Sequence, residues 1–576
     1  MFGPTWSTSE RRYNVLVQRG VMVPLSDGTE LCADIFRPES DGRFPAIFGF
    51  HPYHQAPQTA PLKAQALSTA FAAAGGHEKG NAWIEAGDPF FLARRGYAYV
   101  IANIRGTGLS GGVYPFLAPP EAQDGCEVIE WIARQPWCAG GVGMFGVSYF
   151  AWIQLFIAAL NPRPLKCIFA PWAATDLYRD SVYHGGILGH GFWRMWARGS
   201  LHRGRVQSQM RKELGERAFA EAVAGLLQDE DIAGVPELVE ILRNPDAFTN
   251  PLLVDLLLNA LDGPYWEARR VPYDRIRVPA YLGADWGMYG LHLPGAFRSW
   301  EQLNVPKKLL IGPPAYLDRP LYQLQYESLR WFDQWLKGND TGMLEEPPIQ
   351  LFLMGAHTWR AADRWPLPET RWTPFYLHEG QSLLEREPWA DEPYDVFEDS
   401  PWQRGSLTYS SPRLVEETEV IGPIVLNLFA SSSEPEVLWF VSLREVGPDG
   451  NERILTRGWL RGSHREVDAA RSRRWQPVHP HTRSLPLAPG TIYEFNIPLV
   501  PTGVVFKPGS RIALKIGCTD DPPKNPLEMI ASGHLRRQSA SRIAVHHDAA
   551  RPSHLLLPIT RGNVLGTFAS GAAPYL

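Results

Sequence analysis

Residues 141–150, Gly-Val-Gly-Met-Phe-Gly-Val-Ser-Tyr-Phe, limit what this chain can fold into more than any other stretch. A short apolar strand, Val142 to Phe145, runs into Gly146-Val147-Ser148. An apolar segment, Tyr149 to Leu160, follows and reads as a buried helix. A serine on so sharp a strand-to-helix turn has its Oγ pushed out of the sheet, with the first N–H groups of the helix pointing toward it. Such a nucleophile elbow lets the hydroxyl attack a carbonyl while a backbone donor waits for the oxyanion. A bare G-x-S is a common turn. The strand before it and the helix after it favour catalysis over a plain αβ turn.

The surrounding pattern fits an elbow. Phe44 to Phe50 and Tyr97 to Ile104 are near-continuous apolar runs of the kind found in parallel sheets. The hairpin signal Asp27-Gly28 precedes them, and a glycine-rich loop, Arg105 to Gly112, follows the second run. That Arg105 loop reads as scaffolding at the sheet edge. Helical signals from Pro119-Pro120 to Ala133 lead up to the elbow strand. Leu165 to Phe169, Val278 to Gly283 and Leu309 to Gly312 supply further strands, and a helix is expected near Tyr326 to Leu336. Strands alternating with helices predict a doubly wound α/β sheet.

With 576 residues the chain exceeds what one core usually serves. Residues 1–174 are read as the first part of the α/β core, 175–270 as a helical cap insertion with helices near Phe219 to Leu227 and Val235 to Leu242, and 271–346 as the second part of the core. Residues 347–576 are read as an all-β sandwich of the jelly-roll type. Its expected strands are Ile349–Met354, Ile424–Phe429, Val437–Val446, Ile492–Ile497 and Arg511–Ile516, with a hairpin turn at Pro448-Asp449-Gly450. Glu385 to Gly405 reads as a long surface loop.

These parts resemble, over nearly the whole chain, the cocaine esterase-like and X-Pro dipeptidyl-peptidase (S15-type) group of serine hydrolases. The resemblance is carried by Asp34-Ile35-Phe36-Arg37-Pro38, His51-Pro52-Tyr53, Arg95-Gly96-Tyr97, Arg105-Gly106-Thr107-Gly108 and Glu130-Trp131-Ile132-Ala133. It continues through Gln135-Pro136-Trp137 and Gly146-Val147-Ser148-Tyr149, then Met354-Gly355, Trp359-Arg360 and Trp365-Pro366. It implies an α/β hydrolase with a helical cap and a C-terminal jelly roll, acting on esters or Pro-containing peptides. It further implies Ser148 as nucleophile, with the backbone N–H of Tyr149 and the phenol of Tyr53 as oxyanion donors.

The chain departs from the family pattern at the two activating groups. Where the family carries its acid in Gly-Trp-Tyr-Asp, this chain reads Asp285-Trp286-Gly287-Met288-Tyr289-Gly290, with Met288 at the acid's place. Where a histidine follows Gly-Pro-Trp, it reads Gly312-Pro313-Pro314-Ala315-Tyr316. A phenol of pKa ~10 is a poor substitute for imidazole at neutral pH. A serine needs a base, and the base an orienting acid. His292 with Asp285, on one loop at the sheet's C-terminal edge, is a candidate relocated pair. His51 and His54 flank Tyr53, and His184 and His190 lie in the cap; these four are weaker alternatives.

Three functions stay open: an ester hydrolase working through an acyl-enzyme at Ser148, with amides or X-Pro peptides less favoured; a lyase, C–C hydrolase or isomerase using the same oxyanion pocket; and a catalytically silent ligand-binding homologue. No pair of acidic groups suited to a substrate ammonium is legible, which disfavours dipeptide release. The substrate is expected to be a small, uncharged or aromatic molecule, since Trp152, Trp172, Trp193 and Trp196 are available to line a pocket, though packing in the core is their commoner use. Net charge is −5 with scattered basic residues, which argues against nucleic acid. No cofactor or metal motif is present: HExxH, Cys/His quartets, an EF-hand loop, the Walker lysine and G-x-G-x-x-G are all missing. Five cysteines without CxxC spacing read as reduced. No signal peptide and no membrane-length apolar run is seen, so a soluble, cytoplasmic protein is expected, with homo-oligomerisation open.

Overall fold

The strands Ala98–Asn103 and Ala280–Asp285 are buried at every position, so each must be covered on both faces. The computed structural model, which describes residues 7–53, 55, 85–201, 204–314, 319–524, 528 and 530–562, places both inside one large sheet. Strands β1 (Val15–Pro24) and β2 (Glu30–Pro38) open it as an antiparallel hairpin, closed where the Gly28 N–H donates to the Leu25 carbonyl (3.1 Å). Next come β3 (Phe44–His51), β4 (Ala98–Asn103), helix α1 (Pro119–Ala133), β5 (Cys138–Phe145), α2 (Tyr149–Ala159) and β6 (Leu165–Pro171). A small hairpin, β7 (Tyr183–His184) and β8 (Ile187–Leu188), precedes α3 (His190–Ser200). The sheet resumes with β9 (Ala280–Asp285), α4 (Leu293–Gln302), β10 (Lys307–Gly312), α5 (Arg319–Lys337), β11 (Ile349–Leu353) and β12 (Thr358–Ala362).

Strand order is β1-β2-β4-β3-β5-β6-β9-β10-β11-β12. The centre, from β4 across to β11, is parallel, and an antiparallel partner closes each edge. Parallel neighbours need covered crossovers, and α1, α2, α4 and α5 supply them. In α2 every residue except Phe156 is buried, so this helix lies within the protein, which fits its nearly all-apolar sequence. The doubly wound α/β reading therefore holds. The Arg105 loop is indeed scaffolding: its guanidinium forks onto Asp124 (2.5 Å to each oxygen) and reaches Asp27 (3.0 Å).

Between β6 and β9 the chain is mainly helical. It includes amphipathic helices Glu216–Leu226 and Pro236–Arg243, close to the positions expected. Beyond β12 lies a second sheet of eleven strands among the described residues, from Arg371–His378 to His554–Arg561. Its pairings are antiparallel apart from one parallel contact between Ser382 and Ser410. The expected Pro448-Asp449-Gly450 turn joins Leu438–Val446 to Glu452–Arg461, closed by Gly447 N–H on the Asn451 carbonyl (2.8 Å).

Two readings need correction. Ile349–Leu353, assigned from sequence to the C-terminal sandwich, lies parallel to β10 and extends the first sheet. Its alternating burial is that of any strand near a sheet edge and does not tell which sheet it joins. The surface loop expected over Glu385 to Gly405 contains a strand, Asp395–Asp399, paired with Ser541–His546. The two sheets meet closely around Trp286, whose indole N–H donates to the Phe352 carbonyl (2.6 Å). A Cβ at Gly503 would stand 2.5 Å from the Trp286 ring. Among the described residues no helix is long and apolar enough to cross a membrane, and the five cysteines form no disulfide.

Candidate active site

The elbow is built as its sequence requires. Gly146 has φ 138°, and a Cβ there would lie 2.4 Å from Cβ of Phe150, so only glycine fits. Ser148 follows with φ 58° and ψ −123°, a conformation that non-glycine residues avoid unless their surroundings impose it. The surroundings do so here. Val147 N–H donates to the Glu85 carbonyl (3.0 Å), and the Ser148 carbonyl takes the first helical bonds from Ala151 (2.8 Å) and Trp152 (2.9 Å). Tyr149 opens α2, and its N–H has no acceptor within the helix.

His292 stands opposite. Its Nε2 lies 3.2 Å from Ser148 Oγ, across 144 residues of sequence. The turn before α4 holds it there: the Met288 carbonyl accepts N–H bonds from Leu291 (3.2 Å), His292 (3.0 Å) and Leu293 (3.0 Å). The imidazole is fully buried, edge-on to Trp152 at 6.0 Å. Burial removes the water that would stabilise an imidazolium and lowers its pKa to about 3, so the ring is neutral at pH 7. Met288 is a buried thioether.

Asp285 ends β9, fully buried. One carboxylate oxygen accepts the Trp172 indole N–H (2.6 Å) and the other the Gly287 N–H (2.8 Å). Burial raises its pKa to about 7 despite those bonds. It thus ties the ends of β6 and β9 together at the root of the loop that carries His292.

Tyr53 sits just past β3. His51 Nδ1 accepts its N–H (3.1 Å), and Asn103 Nδ2 donates to its carbonyl (2.8 Å). The phenol lies beside Ser148, Trp196 and Glu85. Burial, reinforced by the charge of Glu85, holds its pKa well above the ordinary tyrosine value. His51 is fully buried and lies flat on Phe150 at 4.6 Å; its Nε2 meets Gln55 Oε1 (3.0 Å). That fixes Nε2 as the protonated nitrogen and makes His51 a brace for Tyr53 rather than a base. His54 and Tyr316 lie outside the described residues. His184 bonds His534 and the Gly290 carbonyl, and His190 borders an apolar hollow with Trp193 and Leu253, so neither meets Ser148.

A buried aromatic cluster packs beside the site. Tyr149 stacks on Trp152 (5.7 Å) and on Trp196 of α3 (6.0 Å, planes 5° apart), and Trp193 meets Trp196 edge-on at 5.4 Å. Trp172 faces Asp285 instead. Two carboxyls were not foreseen from sequence. Glu85 stands beside Tyr53. Glu121 accepts the Tyr149 hydroxyl (2.7 Å), which in turn accepts that of Tyr114 (2.8 Å). Glu121 is fully buried, and its pKa rises to about 8. Among the described residues no cluster of His, Cys, Asp or Glu is arranged to hold a metal ion.

A strained serine, a histidine on its hydroxyl and a phenol beside the serine meet at this one place. Comparison with known proteins places the chain in a family. Residues 27–316 match the model of the X-Pro dipeptidyl-peptidase (S15 family), and residues 341–556 that of the X-Pro dipeptidyl-peptidase C-terminal non-catalytic domain. The chain is 27% identical over 610 residues to a cocaine esterase of Rhodococcus sp., spanning 95% of this chain and 99% of that protein. It is also 27% identical over 596 residues to a putative serine esterase of Mycobacterium bovis (90% and 92% covered). A crystal structure of a CocE/NonD family hydrolase from Staphylococcus aureus superposes with TM-score 0.77 at 25% identity, covering 95% of this chain and 94% of that one. Elbow, fold and both matched regions converge: the chain belongs to the X-Pro dipeptidyl-peptidase (S15) family and is a serine hydrolase.

Proposed function

We propose that the protein cleaves a small, uncharged ester through an acyl-enzyme on Ser148, with His292 as base. The observation that carries this reading is the 3.2 Å contact between Ser148 Oγ and His292 Nε2. The neutral imidazole takes the Ser148 proton as Oγ attacks the carbonyl carbon. The new oxyanion is met by the Tyr149 N–H and the Tyr53 phenol. His292 then protonates the departing alkoxide, and the same steps run with water release the acid.

The depressed basicity of His292 bears on the substrate. A buried imidazole with pKa about 3 is reluctant to take a proton and quick to return it. Such a base suits esters, whose alkoxide leaves readily, more than amides. The likeness to an esterase across almost the full length of both chains supports the same preference. Tyr149, Trp152, Trp193 and Trp196 favour a flat aromatic or apolar group on the substrate. The C-terminal sheet is read as a jelly roll that buttresses this site.

The test is active-site labelling. A fluorophosphonate probe is expected to modify the native enzyme stoichiometrically at Ser148, while Ser148→Ala abolishes both labelling and aryl-ester turnover by several orders of magnitude. Substantial turnover by a folded Ser148→Ala protein would replace the acyl-enzyme with chemistry that uses only the oxyanion pocket.

A further inference from the structure

The carbonyl of Gly290, two residues before His292, is the acceptor of a buried hydrogen-bond chain that starts in the C-terminal sheet region. His184, on β7, lies flat on Trp459 at 4.6 Å. Its Nε2 faces two carbonyl oxygens, Gly290 (2.9 Å) and Asp180 (3.1 Å). Its Nδ1 is 2.7 Å from His534 Nε2. His534 Nδ1 is 3.0 Å from both oxygens of Asp520, and Oδ2 also accepts the His534 backbone N–H (2.9 Å).

The protons of this chain can be counted. His184 Nε2 meets only acceptors, so it carries a hydrogen. His534 Nδ1 meets only a carboxylate, so it carries one too. The short contact between the rings needs one more. Two imidazoles therefore share three protons, one positive charge in total, balanced by Asp520. Burial, with His534 beside it, lowers the pKa of His184 to about 3. Asp520 is shifted below its ordinary value: burial opposes this but is outweighed by His534 and Arg457. The other charged or titratable groups facing the pair are His190, Arg457 (4.0 Å from Asp520) and Glu528, which faces Arg457.

The receiving end is equally confined. A Cβ at Gly290 would stand 2.5 Å from Cβ of Ala531. The neighbouring Tyr289 ring lies under the Arg457 guanidinium at 5.9 Å. Leu535 N–H donates to the Leu188 carbonyl (2.8 Å), and Gly191 N–H to that of Gly533 (3.0 Å), which locks segment 530–535 onto the hairpin that carries His184.

We propose that Asp520, His534 and His184 form a positioning relay that holds the Gly290 carbonyl, and with it the His292 loop, in register with Ser148. None of the three touches the reacting atoms. The relay rests on His292 acting as the base. Its charged state is the working one: when the ring pair loses its third proton as pH rises, two lone pairs face each other across 2.7 Å and the Gly290 anchor loosens.

The test measures kcat and KM for an aryl ester against pH in wild type, His534→Gln and Asp520→Asn, with thermal melts as the folding control. Glutamine still donates to His184 but holds no charge. His534→Gln should lower kcat about 10-fold, leave KM within about twofold and erase the alkaline limb of the kcat profile. Asp520→Asn, which removes the counter-charge, should move that limb about one to two pH units lower. Folded variants with wild-type kcat and an unchanged profile would overturn the relay. Should Asp520→Asn not fold, ¹⁵N-histidine NMR of the wild type decides: protonated His184 Nε2 and His534 Nδ1, with one hydrogen between the rings, support it, and two neutral rings overturn it. His292→Ala separates the levels. Lost turnover there together with unaffected relay variants refutes the relay alone, whereas retained turnover refutes the base assignment and the relay with it.

Discussion

Replacing Tyr53 with Phe removes one hydroxyl from the centre of the site and little else. The ring packs edge-on to Trp196 (6.4 Å) and Tyr149 (6.2 Å) and lies near Phe150 (6.3 Å); phenylalanine keeps all three contacts. The loop is anchored through the backbone of residue 53, by His51 and Asn103, which the substitution does not touch. Ground-state binding and stability should therefore change little. The lost hydroxyl is one of two proposed oxyanion donors, in a pocket where Ser148 is only 7% exposed and water competes poorly. Removing one such donor costs about 3 kcal/mol at the transition state, and at about 1.4 kcal/mol per decade this is roughly a 100-fold loss in kcat. The assay is steady-state hydrolysis of a chromogenic aryl ester, with the acylation burst followed by stopped flow. Expected are a burst rate down by roughly 100-fold and KM within about threefold. A kcat within threefold of wild type would remove Tyr53 from the oxyanion site and leave the Tyr149 N–H as the sole proposed donor.

Three further outcomes follow from the same geometry. Because the free enzyme holds His292 near pKa 3, kcat/KM should stay flat well below the usual histidine range, and an acid limb near pH 6.5 would contradict a buried neutral base. Gly146→Ala forces a Cβ to 2.4 Å from Phe150 at φ 138° and should cost on the order of 3 kcal/mol, read from urea midpoints; a change under about 1 kcal/mol would mean the elbow relaxes freely. Glu121, at about 8 when folded and near 4.5 when unfolded, binds more protons in the native state between those values. Stability therefore falls as pH rises through that window, and Glu121→Gln should flatten that slope in melts between pH 5 and 8.

The elbow was legible because everything that makes it is contiguous in sequence: an apolar strand, a glycine without room for a side chain, a serine and a nearly all-apolar helix. His292 was reachable because the turn that carries it starts seven residues earlier, at the end of a recognisable strand. Glu121 was not, since a glutamate behind Pro119-Pro120 is an ordinary first-turn acid. Only the packing of α1 beside α2 aims it at Tyr149. Glu85 escaped for a similar reason: its place beside Tyr53 depends on a backbone bond to Val147, which no periodicity announces. The relation of Asp285 to Trp172 joins the ends of two strands separated by the entire helical insertion, and its sequence neighbours carry no sign of it.

Trp286 has one more consequence. It fills the space left by the missing side chain of Gly503, and its indole is held by Phe352, so the turn that presents His292 is moulded partly by the C-terminal half. Chimeras that exchange that half between distant relatives should fail unless the residues opposite Trp286 travel with it. Truncation after residue 346 would not yield a minimal catalyst.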